Sequence, residues 1–160
     1  MIVSNTSPII NLACINHLDW LPALYGEIII PSAVFHEICV LLPDAPGASE
    51  VRTASWIHQH SISNLPLLAS LSLTLDPGEA EAIACAMELK AKLLLIDERR
   101  GRMTAQRLGL SVTGLIGILL MAKNRGLTNL IRPHLNDLRS LAGFWVSDTL
   151  YKRVLDEANE

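Results

Sequence analysis

The sequence predicts an α/β fold built on a parallel sheet. Three observations support this: short aliphatic or β-branched runs alternate with helix-forming segments along all 160 residues, residues 93–96 form a continuous apolar run suited to a central strand, and no repeat or low-complexity stretch breaks the order. Half of the residues are hydrophobic and 18% are charged, which excludes global disorder. A chain of this length buries roughly 70% of its unfolded-state surface, so one domain over residues 1–160 is expected.

The chain opens with the strand-like Met1-Ile2-Val3-Ser4, and Asn5-Thr6-Ser7-Pro8 then supplies cap-forming residues and a proline near a first helical turn. Ile9, Ile10, Leu12 and Ala13, then Leu18, Leu21 and Leu24, predict one or two short buried helices stopping near Gly26. Residues 27–30 read as a strand ending at Pro31. Ser32 caps a helix that carries Glu37 and stops at Pro43. A loop at 43–47, a strand within 56–62 and a helix over 65–75 follow. After Asp76-Pro77-Gly78, residues 79–89 are rich in strong helix formers with acids in the first turn. The strand at 93–96 ends in Asp97. A helix over 99–108, a strand over 110–113 and a helix over 115–125 ending at Gly126 come next. The tail predicts a helix over 130–141, a strand at 144–146 and a last helix begun by Ser147 or Asp148.

Composition narrows the function. The uncharged stretch at 108–122 is shorter than the about 20 residues a spanning helix needs. The first basic residue is Arg52, so the start lacks the positive region of a secretory signal, and a cytoplasmic protein is expected. Cys14, Cys39 and Cys85 are odd in number and widely spaced, which predicts buried thiols rather than a disulfide framework. His36, His58 and His60 lack a zinc-ligand spacing, and Trp20, Trp56 and Trp145 read as core or interface residues. Gly114-x-x-Gly117 is not a dinucleotide fingerprint, and no phosphate-binding loop is present. The net charge of −3 argues against a uniformly basic surface but hides an asymmetry: residues 1–80 carry one basic and seven acidic side chains, residues 81–160 twelve and nine.

In an open parallel sheet, ligands bind outside the carboxyl ends of the strands, so the residues just after each strand are the candidates. They are acidic or amide: Asn5 after the first strand, Glu37 on the helix after the second, and Asp97 followed by Glu98 after the 93–96 strand. Glu79 and Glu81 open the helix feeding that strand. Clustered carboxylates repel one another, and a hard divalent cation neutralises them. Mg²⁺ or Mn²⁺ on such oxygens can polarise a phosphodiester and activate water, which points to hydrolysis of a nucleic-acid backbone. Lys90, Lys92, Arg99, Arg100, Arg102 and Arg107 bracket Asp97 and give residues 90–107 a local charge of +4, suited to contacting phosphates along a single strand.

The motifs Val3-Ser4-Asn5-Thr6-Ser7-Pro8, Ile30-Pro31-Ser32-Ala33-Val34-Phe35-His36-Glu37, Gly78-Glu79-Ala80-Glu81-Ala82-Ile83, Leu94-Leu95-Ile96-Asp97-Glu98-Arg99-Arg100-Gly101-Arg102 and Gly114-Leu115-Ile116-Gly117 occur in this order. Together the sequence resembles the PIN-domain nucleases, in particular a bacterial and archaeal branch related to VapC-type toxin ribonucleases. The resemblance implies a Rossmann-like three-layer α/β/α sandwich with a mainly parallel central sheet, and metal-dependent cleavage of single-stranded RNA. It also implies a small antitoxin partner and a homodimer. By position, the resemblance makes Asn5, Glu37 and Asp97 catalytic and metal-binding residues, with either Glu79 or Glu81 as the remaining acid. Thr6, Ser7 and Glu98 become surrounding partners of the pocket, and Arg99, Arg100 and Arg102 RNA-binding residues. Asn5 departs from the aspartate common in the wider family, and the alternative reading is a non-catalytic RNA-binding or regulatory module with a weakened metal site. An amide oxygen coordinates without contributing charge. Native protein is therefore expected to bind Mn²⁺ more weakly than Asn5→Asp in titration calorimetry, and equal affinities would argue against a ligand role for Asn5.

Overall fold

The computed structural model describes residues 1–160. Five short strands form the sheet: β1 (Ile2–Ser4), β2 (Ile28–Pro31), β3 (Ile57–His60), β4 (Leu93–Leu95) and β5 (Val112–Thr113). Their order is β3-β2-β1-β4-β5, and every pairing is parallel, with Val3 opposite Ile29 on one side of β1 and opposite Leu94 on the other. The Rossmann-like three-layer α/β/α arrangement follows from this order. The chain winds outward through β2 and β3, then returns across β1 to β4 and continues to β5. The switch point of a doubly wound sheet therefore lies between β1 and β4.

Parallel strands need long crossovers, and helices supply them. α1 (Thr6–Cys14) and α2 (Trp20–Tyr25) link β1 to β2. α3 (Ser32–His36), a π-helical turn (Glu37–Leu41) and α4 (Ala48–Thr53) link β2 to β3. α5 (Leu65–Leu71) and α6 (Pro77–Glu88) return to β4, α7 (Arg99–Arg107) leads to β5, and α8 (Leu115–Asn124), α9 (Arg132–Ser140) and α10 (Asp148–Glu157) complete the chain. The alternation of strand side chains divides the interior into two cores. Ile28, Ile30 and Leu95 join Ile9, Leu12, Leu21, Leu115 and Ile118 on one face, whereas Val3, Leu94 and Ile96 join Leu71, Ile83 and Ala105 on the other. Full burial of each such Ile or Leu contributes about 1.5–3 kcal/mol.

α6 is the most enclosed helix. Ala80, Ala82, Ala84 and Ala86 are all buried, and their small side chains let α6 lie close over β1, β2 and β4. Its start is set by a capping box: Asp76 Oδ1 accepts from the Glu79 amide at 2.8 Å, and Glu79 Oε2 accepts from the Asp76 amide at 3.3 Å. At its other end, Glu88 accepts hydrogen bonds from His60, from the Ser63 amide and hydroxyl, and from the Asn64 amide, joining α6 to the exit of β3.

Three expectations need correction. The helix begun at Ser32 does not stay α-helical to Pro43. It widens at Glu37 into the π turn, a geometry that accompanies functional sites, and Val40, Leu41 and Leu42 emerge exposed. α4 lies in a stretch without predicted structure, because six residues bearing only two buried side chains are too few to show a period. The strand at 144–146 is absent. The Phe144 amide instead closes the end of α9 on Leu138 O, Val146 packs inward and Trp145 is 82% exposed, so it is not a core residue. Trp20 is buried and Trp56 half-buried; Cys39 and Cys85 are buried, Cys14 only partly. No helix is long and apolar enough to cross a membrane.

The His60 hydrogen bond, followed by the Asn64 amide, holds the Glu88 carboxyl down from 4.5 to about 2. A lowered folded-state value stabilises the fold above about pH 4.5, and the contribution is lost as pH falls toward 2. Glu88→Gln is expected to show a shallower acid-unfolding limb than the native protein over that window in circular dichroism.

Candidate active site

A cleft of about 260 Å³ opens at the carboxyl end of the sheet, beside the switch point, and is lined among others by Asn5, Thr6, Ser7, Glu37, Asp76 and Glu98. A larger hollow of about 590 Å³ lies between α8 and α10. Its only charged lining groups are Lys123 and Glu157, and no strand end reaches it. In the small cleft Glu37, Asp76 and Glu98 converge outside the strand ends.

Asn5 follows β1 directly, and its amide donates to Leu95 O at 2.9 Å, which continues the β1–β4 ladder to the edge of the cleft. The next two residues open α1, and each holds a carboxylate from a different part of the chain. The Thr6 hydroxyl donates to Glu37 Oε2 at 2.7 Å, and the Ser7 hydroxyl donates to Asp97 Oδ2 at 3.2 Å while accepting from Asn11 Nδ2 at 3.0 Å. Adjacent hydroxyls on one helical turn thus bring Glu37 and Asp97 to the same end of the molecule. Asp97 Oδ1 also accepts from the Leu115 amide at 2.8 Å, at the start of α8. Burial pushes the Asp97 carboxyl up, against the pull of the Leu115 and Ser7 hydrogen bonds and the nearby Arg102 guanidinium.

Glycines make room for these groups. A Cβ on Gly78 would stand 3.1 Å from Glu37 Oε2, 3.2 Å from Asn5 Oδ1 and 3.5 Å from Asp76 Oδ1, so three oxygens gather over one bare α-carbon. A Cβ on Gly114 would stand 2.5 Å from Asp97 Oδ1 and 2.8 Å from Arg102 Nη1, and one on Gly117 would collide with the Thr113 hydroxyl. Close packing of Asp97 and Thr113 therefore accounts for the Gly114-x-x-Gly117 pair.

The two helix-start glutamates part company. They are two residues apart on α6 and so project to different sides of the helix. Glu79 is buried, 6% exposed, with its carboxylate engaged in the capping box and Oε1 turned toward Gly101. Burial first, and the Asp76 charge second, push its carboxyl up. It sits behind Asp76 rather than in the cleft wall. Glu81 leaves the cleft altogether: its Oε2 accepts from the Ala33 amide at 2.7 Å, fastening α6 to the start of α3.

Among the basic residues, Arg99 and Arg100 are exposed on the first turn of α7, next to the cleft-lining Glu98, and Arg100 reaches Thr74 O at 3.1 Å. Arg102 donates to Ile96 O at 3.1 Å and braces the end of β4. Lys90 and Lys92 precede β4 and stand at the opposite edge of the sheet, where Lys92 lines a hollow with Met1 and Tyr25; they do not bracket the cleft. Arg107 closes the far end of α7. Asp76, read from sequence only as part of a turn, lines the cleft. Its Asp-Pro-Gly-Glu setting matched a capping box, and that was the available signal.

Oxygen-bearing side chains gathered outside the switch point of a doubly wound sheet occupy the place where such α/β proteins bind ligands. The chain belongs to the PIN domain family, whose pattern it matches over residues 1–160. Searches of curated proteins and of solved structures returned no match. PIN domains are generally nucleases and generally use divalent metals. The donor set fits such an ion: Asn5, Glu37 and Asp76 offer only hard oxygens, suited to Mg²⁺ or Mn²⁺ with water completing the shell. No three His, Cys, Asp or Glu side chains form a ligand cluster by themselves, because one of the three near oxygens is an amide and Asp97 stands to the side, behind Ser7.

Gly114→Ala forces Asp97 off the Leu115 amide and is expected to lower stability by about 1–3 kcal/mol. In Gly78→Ala the Cβ would stand 3.1 Å from Glu37 Oε2 and 3.2 Å from Asn5 Oδ1, tighter than ordinary contact, so these side chains must give by a few tenths of an ångström. The gain in helix propensity offsets part of that cost, and stability is expected to stay within about 1 kcal/mol of native. Urea unfolding midpoints compare the two.

Proposed function

We propose that this protein is a Mg²⁺- or Mn²⁺-dependent endoribonuclease acting on single-stranded RNA, the toxin half of a toxin–antitoxin pair. The observation that carries this reading is the joint anchoring of Glu37 by Thr6 and Asp97 by Ser7 beside Asn5, at the carboxyl edge of a parallel sheet. A bound divalent ion would supply charge neutralisation and polarise the phosphodiester. The protein's own residues do the positioning. Thr6 and Ser7 keep the two carboxylates in fixed orientations, so little reorganisation accompanies substrate entry. Asn5, Glu37 and Asp97 are the proposed metal-binding and catalytic set. Glu79 acts behind them through the Asp76 cap, and Glu98 stands at the rim. Arg99 and Arg100 at the mouth suit RNA phosphates, and the small number of such charges makes binding sensitive to salt.

Leu42 forms part of the cleft wall, and Val40 and Leu41, which precede it on the π turn, are exposed as it is. They support an antitoxin that covers the mouth with apolar side chains, since clustered exposed apolar residues mark interaction surfaces. The proposal includes a homodimer, which light scattering of purified protein tests directly.

A second reading, an RNA-binding module without turnover, draws on the neutral Asn5. Cleavage of a labelled single-stranded RNA panel separates the two. Expected are Mn²⁺-dependent cleavage, loss on chelation, and a fall of about 10²-fold or more in Asp97→Asn and Glu37→Gln. RNA retention with no cleavage at any Mn²⁺ concentration would favour the second reading.

A further inference from the structure

Asn5 is 5% exposed, and no side-chain hydrogen bond joins its amide to the protein, not even to the helix it precedes. What remains accessible of it opens onto the cleft, where its Oδ1 shares the space over Gly78 with Glu37 Oε2 and Asp76 Oδ1. With no partner in the protein and some access left to the cleft, its Oδ1 is available to a ligand that accepts an oxygen lone pair.

Asp76 supplies what Asn5 lacks. Capping α6 occupies only its Oδ1, and the other carboxylate oxygen makes no hydrogen bond within the protein. Asn or Ser would cap as well as Asp does. The helix dipole favours an acid here, but Glu79 already provides one in the first turn. Asp76 lines the cleft, and its Oδ1 shares the space over Gly78 with Glu37 Oε2 and Asn5 Oδ1, so its carboxylate adds negative charge where these oxygens gather, and a cation there offsets their repulsion.

We propose that Asp76 is a metal-binding residue of this cleft, carrying from the start of α6 the negative charge that Asn5 does not carry at the end of β1. The inference rests on the metal-dependent reading above. It adds Asp76 to Glu37 as a charged oxygen over Gly78, with Asn5 as the neutral one, and leaves Asp97, fixed by Ser7 and the Leu115 amide, in the set proposed above.

Mn²⁺ binding to the full chain, followed by calorimetry and by the loss of the free-ion electron paramagnetic resonance signal, tests it without recourse to activity. Native protein, Asp76→Asn, Asp76→Ser, Asn5→Asp, the Asn5→Asp/Asp76→Asn double variant and Glu37→Gln are compared, with melting temperatures taken in chelator. Because both caps are retained, Asp76→Asn and Asp76→Ser are expected to melt as the native protein does, yet to bind Mn²⁺ about tenfold more weakly. The double variant returns the charge to the end of β1 and is expected to recover most of the native affinity. Native-like Mn²⁺ affinity in both Asp76 variants, alongside weakened binding in Glu37→Gln, would overturn this assignment and leave the proposed function standing. Weak binding in the Asp76 variants without recovery in the double variant would overturn the charge-replacement argument. Absence of Mn²⁺ binding by the native protein would overturn both.

Discussion

β1 lies at the middle of the sheet with parallel partners on both sides, and this one arrangement decides where everything else can go. Because β1, β2 and β4 run in the same direction, the residues that follow them emerge at the same edge. Asn5, the helix bearing Glu37, and Asp97 are distant in sequence yet share a neighbourhood for that reason. An antiparallel β4 would send Asp97 to the opposite edge. The all-parallel pairing in turn depends on helical crossovers that bury both sheet faces, which the two apolar cores provide.

Sheet topology brings the side chains near one another, and polar contacts then fix their orientation. Thr6 and Ser7 each bond one carboxylate, so α1 acts as a clamp between the β2 and β4 arms of the sheet. The Leu115 amide adds a second restraint on Asp97, and the capping box sets where α6 begins. All of these contacts lie at helix starts: α1 contributes side-chain hydroxyls, while α6 and α8 contribute backbone amides that have no intrahelical partner. Bare α-carbons at Gly78 and Gly114 leave the space the oxygens need.

Electrostatically the cleft is economical. Two carboxylates and one amide face the space over Gly78, while Asp97 and Glu79 are withdrawn into hydrogen bonds and are both pushed up by burial. Spreading the acids in this way limits repulsion among like charges in a partly desolvated site. Basic residues contribute unequally: Arg102 is committed to the backbone at the end of β4, and Arg99 and Arg100 remain at the surface.

The alternation of apolar runs and helix formers determined the fold class, because strand and helix periods differ and parallel strands require crossovers. The candidate positions Asn5, Glu37 and Asp97 were legible for the same reason: each stands at or just beyond a recognisable strand. Family likeness, more than pattern, identified the helix-start acids, and it left both open with a slight preference for Glu79. Only packing separated them, since a two-residue step on a helix turns a side chain to another face, and α3 was there to receive Glu81. Asp76 looked like a turn residue because nothing local reveals that the cap of α6 stands beside Glu37 and Asn5. The strand expected at 144–146 failed for a kindred reason: a short apolar run forms a strand only where a sheet edge is free to pair with it, and here Phe144 closes a helix instead. Local sequence thus determined which segments become strands and helices, whereas the meeting of remote side chains was decided by how those segments pack.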